Sequence, residues 1–269
     1  TITPVTTAGQ DTHTHTIKTR PTISASGTNP TTCSGNGSIG FTFTNVPDGT
    51  YTINYDGSSF TNVAVEDGSA TKSAPAGTYN NLRITANGCT SANDPDVTLT
   101  DPSGPTASVL AGTATICKGS STNLTVTVTG GTGPFDVVLS DGTTATDIAS
   151  GDNISVSPAS TTTYTITSVT DANGCTSTGL SGSVTVTVNA GPTASVLAGT
   201  ATICKGSSTN LTVTVTGGTG PFDVVLSDGT TATDIASGDN ISVSPASTTT
   251  YTITSVTDAN GCTSTGLSG

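Results

Sequence analysis

The sequence predicts an all-β chain of tandem antiparallel β-sandwich modules, and three observations predict it. First, the stretch from Gly104 to Gly182 reappears unchanged from Gly191 to Gly269, a period of 87 residues. That period is too long for solenoid units of about 20–50 residues and suits one small domain with its own core. Second, six cysteines fall into three pairs, Cys33 with Cys89, Cys117 with Cys175 and Cys204 with Cys262. The spacing is the same in the last two pairs and only two positions shorter in the first. Third, short apolar runs alternate with Thr between Gly-rich turns, and helix signals are absent.

The elements follow in chain order. Residues 1–20 read as the terminal strand and linker of a preceding module, because DTHTHTIKTR alternates Thr with other side chains up to Pro21. The dipeptides Pro21-Thr22, Pro105-Thr106 and Pro192-Thr193 mark module starts, which gives a divergent module at 21–103, a first repeat copy at 104–190 and a second at 191–269. In the divergent module the runs FTFTNV, GTYTINY, FTNVAVE and TYNNLRITANGC supply strands. In the first copy Leu124, Val126 and Val128 alternate with Thr, and Phe135, Val137 and Leu139 form a second run. Ile154 and Val156, Tyr164 and Ile166, and finally Val184, Val186 and Val188 complete the set. Gly130-Gly131, Asp141-Gly142 and Asn173-Gly174 are turn sequences. Strands spaced this closely with such turns predict a sandwich, and the junctions leave only two or three residues of linker, as in a semi-rigid rod.

One strand is missing from the pattern. SVTVTV at 183–188 follows the first copy, whereas the second copy reaches Gly269 before the equivalent strand. The expectation is that the chain continues in cis. The other reading is that another chain supplies the strand from a segment such as Ile2 to Ile17.

The even cysteine count with matched spacing predicts one disulfide inside each module, and an oxidising compartment. Such a bond would stabilise a small module by about 4 kcal/mol in the chain-entropy model. Free buried thiols are the other reading. No Trp exists, so the immunoglobulin pairing of a disulfide with a core Trp is missing, and the sandwich is Ig-like in architecture only. Charged residues are 9% of the chain against about 25% in ordinary domains, and Ser and Thr take the solvent positions. The net charge of −12, with only 6 Lys and Arg, excludes nucleic acid and an anionic membrane surface as partners. No apolar run is long enough to insert in a bilayer, and the absence of Met at position 1 suggests a processed product or a fragment.

The segments TGGTGPFDVVLSDG, TTTYTITSVTDANGCTST, CSGNGSIGFTF and AGTYNNLRITANGCTS resemble the PKD-like or Ig-like repeats of very large Bacteroidota surface adhesins, including those of gliding motility. The resemblance spans nearly the whole chain after about residue 20. It implies type IX secretion, display at the cell surface and a filament of many tandem domains; it does not imply a catalytic residue.

Candidate sites are few. The two histidines, His13 and His15, lie outside the identical copies, so no nucleophile–base pair can be built there, and His-Thr-His offers only two metal ligands. Asp171-Ala172-Asn173-Gly174 resembles the start of a calcium loop but lacks the later bidentate acid, and reads as a turn. Asp136, Asp141, Asp147 and Asp152 are candidates for a looser calcium site between modules; no other cofactor is expected. Asn36, Asn123, Asn153, Asn210 and Asn240 open glycosylation sequons, which chance supplies in so Thr-rich a chain. Thr faces for ice binding, Lys–Asn staples and Thr–Gln esters are each disfavoured, the last because Gln10 is the only Gln.

The expected function is non-enzymatic: a structural, adhesive segment of an extracellular surface protein, partnered by other copies in a fibre or bundle and by a cell-surface or polysaccharide ligand. The alternative is a carbohydrate-binding accessory array on a secreted glycoside hydrolase. That reading calls for exposed aromatic platforms, and aromatics are only 4% of the chain.

Overall fold

A computed structural model describes residues 17–91 and 95–269, and among these no helix occurs. Before the repeats run β1 (Thr22–Thr28), β2 (Asn36–Thr44), β3 (Gly49–Tyr55), β4 (Ser58–Val65), β5 (Ser69–Pro75), β6 (Gly77–Tyr79), β7 (Arg83–Ala86), β8 (Cys89–Thr90) and β9 (Val97–Leu99). The first copy contains β10 (Pro105–Ala111), β11 (Ala114–Cys117), β12 (Thr122–Gly130), β13 (Phe135–Leu139), β14 (Thr144–Ile148), β15 (Asn153–Val156), β16 (Thr162–Asp171), β17 (Leu180–Ser181) and β18 (Ser183–Asn189). The second copy contains β19 (Pro192–Ala198), β20 (Thr209–Gly217), β21 (Phe222–Leu226), β22 (Thr231–Ile235), β23 (Asn240–Val243), β24 (Ile253–Asp258) and β25 (Leu267–Ser268).

The first copy is a complete sandwich. One sheet has the order β15-β12-β10-β17 and the other β11-β18-β16-β13-β14. Alternation decides which side chains meet between them. Leu124 and Val126 from one sheet and Val137, Tyr164 and Val186 from the other are all at most 1% exposed, while the interleaved Thr127 and Thr185 face water. The first strand is split between sheets: β10 pairs with β12, then the chain crosses at Gly112 and β11 pairs in parallel with β18. Gly112 sits at a φ of 122°, where a side chain is strained, so the crossing depends on glycine.

Three hydrophobic cores form, drawn from residues 23–99, 110–186 and 197–256. The first lies between the sheets β1-β2-β5 and β4-β3-β7-β8, with β6-β9 beside them. There Gly27 lets β1 approach β9, since a Cβ at that position would stand 2.6 Å from the Leu99 side chain. The chain divides into two compact units, residues 1–103 with Asn173–Cys175, and residues 104–172 with 176–269.

The second copy has the same sequence as the first but fewer strands. Its sheets are β23-β20-β19-β25 and only β22-β21-β24. Residues 201–204, which repeat β11, form no strand, and neither do residues 249–252, which repeat the start of β16. What differs is β18: it pairs with both of those segments in the first copy and has no counterpart in the second. Backbone donors and acceptors form a ladder only where a partner strand supplies the other half.

A Cβ at Gly182 would overlap the Leu110 carbonyl oxygen, and the residue has a φ of 85°; Gly151, at 96°, has open space around its Cβ position. Both Gly→Ala substitutions carry left-handed backbone strain of about 1–2 kcal/mol, and Gly182→Ala adds a clash. Gly182→Ala is therefore expected to lower the melting temperature of the first copy clearly more than Gly151→Ala, as calorimetry of the two variants would read.

Candidate functional site

The chemistry this chain places most pointedly is at its cysteines, and their positions follow from strand length. Cys117 closes β11 opposite Asn189, the last residue of β18. Because β18 runs antiparallel to β16, with Thr162 opposite Val186, that end of the sheet is where β16 begins. Cys175 follows the other end of β16, just after Asp171 and beside the bridge between Thr170 and Thr176. Ten residues of strand at about 3.3 Å each span about 30 Å, whereas disulfide Cα atoms lie about 4.4–6.8 Å apart. The two cysteines of a module therefore stand at opposite poles and cannot bond to each other.

The structure corrects the expected pairing accordingly. Cys33 is bonded to Cys175 with Cα atoms 5.1 Å apart, and Cys117 to Cys262 at 5.5 Å; Cys89 and Cys204 are free thiols. The expected bonds Cys33–Cys89, Cys117–Cys175 and Cys204–Cys262 do not form. In a tandem array, matched spacing fits a bond between neighbours as well as a bond within each module, and the length of the sandwich selects the neighbour. Each bond joins the early cysteine of one module to the Asn-Gly-Cys turn of the next. Thus Asn173–Cys175 group with residues 1–103, and the Cys33 N–H donates to the Asn173 carbonyl at 2.8 Å.

Between the two copies the junction can be followed residue by residue. β18 ends at Asn189, which sits opposite Cys117, and its carbonyl accepts the Lys118 N–H at 2.9 Å. Two residues later Gly191 lies against the turn that carries Cys262, close enough that a Cβ there would be 3.1 Å from the Cys262 Cβ. The last strand of one module thus delivers the chain to the sulfur that its own early cysteine needs. Asp258, 4% exposed, fixes the turn: its Oδ1 accepts from the Asn260 and Cys262 N–H groups, both at 2.9 Å, and its Oδ2 from the Thr219 N–H at 3.0 Å.

At the free pole of the second copy lies a cavity of about 670 Å³, bordered by Leu197, Ile203, Cys204, Leu211 and Tyr251. These residues repeat those around β18. Tyr164, opposite Val184 of the neighbouring β18, is 1% exposed, and burial, with the Asp141 charge second, pushes its phenol above the ordinary value. Tyr251, its copy, is only half-buried. The cavity lies at the position that β18 occupies against the corresponding residues of the first copy.

The other candidates have ordinary structural partners. Asp136 Oδ1 accepts from the Asp147 N–H, Asp141 accepts from the N–H and hydroxyl of Thr143, Asp152 Oδ2 accepts from the Ala149 N–H, and Asp171 Oδ2 accepts from the Thr132 N–H. These carboxylates are spread over separate turns and a bulge, and no cluster of three metal-ligating side chains occurs among the described residues. The copy of Asp141, Asp228, is held below the usual carboxylate range chiefly by the Thr230 N–H. His13 and His15 lie outside the described residues. None of the ten aromatic side chains is exposed; Phe41, Tyr55 and Tyr79 each meet the Phe60 ring edge-on or tilted around the first core.

No family model matches this chain, and no curated protein matches it. Solved structures of tandem domains are similar at a low level. The N-terminal eight Ig domains of Down Syndrome Cell Adhesion Molecule (DSCAM) match at 14% identity and a TM-score of 0.35, over 92% of this chain, which spans 40% of that one. The I9–I11 tandem from titin matches at 11% and 0.37, over 88% of this chain and 93% of that one. A tetra-tandem repeat in the extending region of a large adhesion protein matches at 16% and 0.29, over 93% and 72%. At scores and identities this low the likenesses carry no argument, and the all-β sandwich assignment stands on the strand pairing and the cores.

Two outcomes are expected. Asp258→Ala leaves three backbone donors of a buried turn without their carboxylate, at a cost of at least about 2 kcal/mol; hydrogen exchange at Thr219, Asn260 and Cys262 should accelerate accordingly. A synthetic peptide with the sequence of Ser183–Asn189 should bind the full chain and slow exchange across residues 201–204 and 249–252, as read by mass spectrometry.

Proposed function

We propose that this chain is a non-enzymatic, tension-bearing segment of an extracellular adhesive surface protein, its modules repeated to gain reach and stapled to one another to limit extension. The observation that carries the reading is the overlap of the two disulfides. Cys117 lies inside the loop closed by Cys33–Cys175, and Cys175 lies inside the loop closed by Cys117–Cys262. A bond within a module would leave the connection between modules as a single strand of backbone, whereas these bonds bridge it. Disulfides of this kind persist in oxidising surroundings, which supports a location outside the cell. A Thr- and Ser-covered surface with few charges suits long-lived exposure and side-by-side association of copies. The resemblance to repeats of giant surface adhesins agrees with a filament for attachment, displayed at the cell surface and built from many such modules.

The geometry sets a measurable limit. With both bonds intact, the shortest covalent path from Cys33 to Cys262 crosses to Cys175, returns along the backbone to Cys117 and crosses again to Cys262. Only the backbone between Cys117 and Cys175 then bears the load, whereas the reduced chain extends over everything from Cys33 to Cys262. At about 3.5 Å per extended residue the oxidised chain should stop near about 200 Å between these points and the reduced chain near about 800 Å. Single-molecule pulling with and without reductant reads the difference directly. An oxidised chain that releases the full reduced length would overturn the reading.

A further inference from the structure

We propose that Asn87 is a self-modification site: its side chain closes on the Gly88 nitrogen to a succinimide, promoted by the Lys18 ammonium, and water opens the ring to aspartate and isoaspartate. Four Asn-Gly steps occur in the chain, at Asn36, Asn87, Asn173 and Asn260. The reaction needs a glycine nitrogen that can lose its proton and swing onto the asparagine side chain. The fold around each step therefore decides which of them reacts.

Three of the steps are held. Asn36 and Gly37 lie inside β2, in register with Pro75 and Ala74 of β5. Asn173 is half-buried, and its carbonyl accepts the Cys33 N–H. At Asn260 the nucleophile itself is engaged: the Gly261 N–H donates to the Asp258 carbonyl at 2.9 Å, and Asp258 Oδ1 accepts from the N–H groups of Asn260 and Cys262.

Asn87 and Gly88 instead form the two-residue loop between β7 and β8, closed where Ala86 pairs with Cys89. Both are exposed, with φ values of 54° and 81°, the positive pair of a type I′ turn. Thr85 stands where the repeats have Asp171 and Asp258, so no carboxylate gathers the turn's N–H groups. Its hydroxyl bonds that of Thr90 across the hairpin at 3.0 Å. Arg20 holds the outgoing strand, donating to the Thr90 and Ser91 carbonyls, and among the described residues nothing accepts from the Gly88 N–H.

Lys18 adds a charge at the reacting peptide. Its Nζ donates to the Asn87 carbonyl at 2.9 Å, the oxygen of the same peptide group whose nitrogen attacks. When that nitrogen loses its proton the negative charge spreads onto this oxygen, and a cation there favours the charged form. Ring closure joins the Gly88 nitrogen to Asn87 Cγ and expels the side-chain nitrogen, which leaves as ammonia with the proton. Water adding at Cγ gives aspartate, and water adding at the main-chain carbonyl gives isoaspartate, with the chain running through the side chain. One amide and one water become one acid and one ammonia, and the loop gains a negative charge beside Lys18.

This site is independent of the tension-bearing reading and is scored without force. The full chain, with both disulfides intact, is aged in neutral buffer made with heavy-oxygen water, then digested and mapped by mass spectrometry. Asn87 should take up solvent oxygen and convert at least about tenfold faster than Asn36 or Asn260, whose turns or strands must first open, and both aspartate and isoaspartate should be found. Lys18→Gln keeps the reach and loses the charge, and should slow conversion at Asn87 about twofold to fivefold, the range of an exposed charge contact, with Asn260 unchanged. Lys18→Arg should restore the rate. Conversion of Asn36, Asn173 or Asn260 as fast as Asn87, an Asn87 rate indifferent to the Lys18 charge, or an intact Asn87 while a peptide of sequence Thr85–Thr90 converts would each overturn the proposal.

Discussion

A ten-residue strand is about five times longer than the reach of a disulfide, and much of this molecule's organisation follows from that mismatch. Cys117 and Cys175 mark the two ends of the sheet built on β16, so neither can satisfy the other. Each cysteine has to find its partner in a neighbouring module, and each module in turn presents one thiol forward and one backward. The covalent path therefore runs along the array.

The same pole that carries the early cysteine also needs the last strand. β18 completes the sheet of its own module, buries Tyr164, orders β11 and then leads, after two residues, into β19. Strand completion and sulfur pairing are thus consequences of a single chain passage. The two copies share their amino acids, and they differ both in that strand and in the bond made by the early cysteine, which joins Cys117 to Cys262 and leaves Cys204 free. Where it is present there is a five-stranded sheet; where it is missing the sheet has three strands, Tyr251 is half-buried and Cys204 is exposed. Asp258 adds a local constraint, gathering three backbone donors so that the turn presents its cysteine in a fixed position.

What the amino-acid sequence determined by itself was the class of structure and its local elements. The alternation of Leu124, Val126 and Val128 with Thr reads as β12, and Phe135, Val137 and Leu139 read as β13, because side chains on a strand point to opposite faces in turn whatever lies around them. Asp141-Gly142 and Asn173-Gly174 read as turns for an equally local reason, the cost of a positive φ to other residues.

What only the tertiary structure decided was which distant groups meet. The regular spacing of the cysteines is the same for a bond within a module and for one offset to the next, so the sequence carried no information on the choice. The choice rests on the registers of β11 with β18 and of β18 with β16, which place the two sulfurs of a module at opposite ends of a rigid sheet. The carboxylates of Asp136, Asp141 and Asp152 teach the same lesson: an excess of acidic side chains made them candidates for a calcium site between modules, and the fold gave each its own backbone donor. Periodicity and turn chemistry are properties of neighbours along the chain, whereas pairing between the poles of successive modules is a property of the sheet.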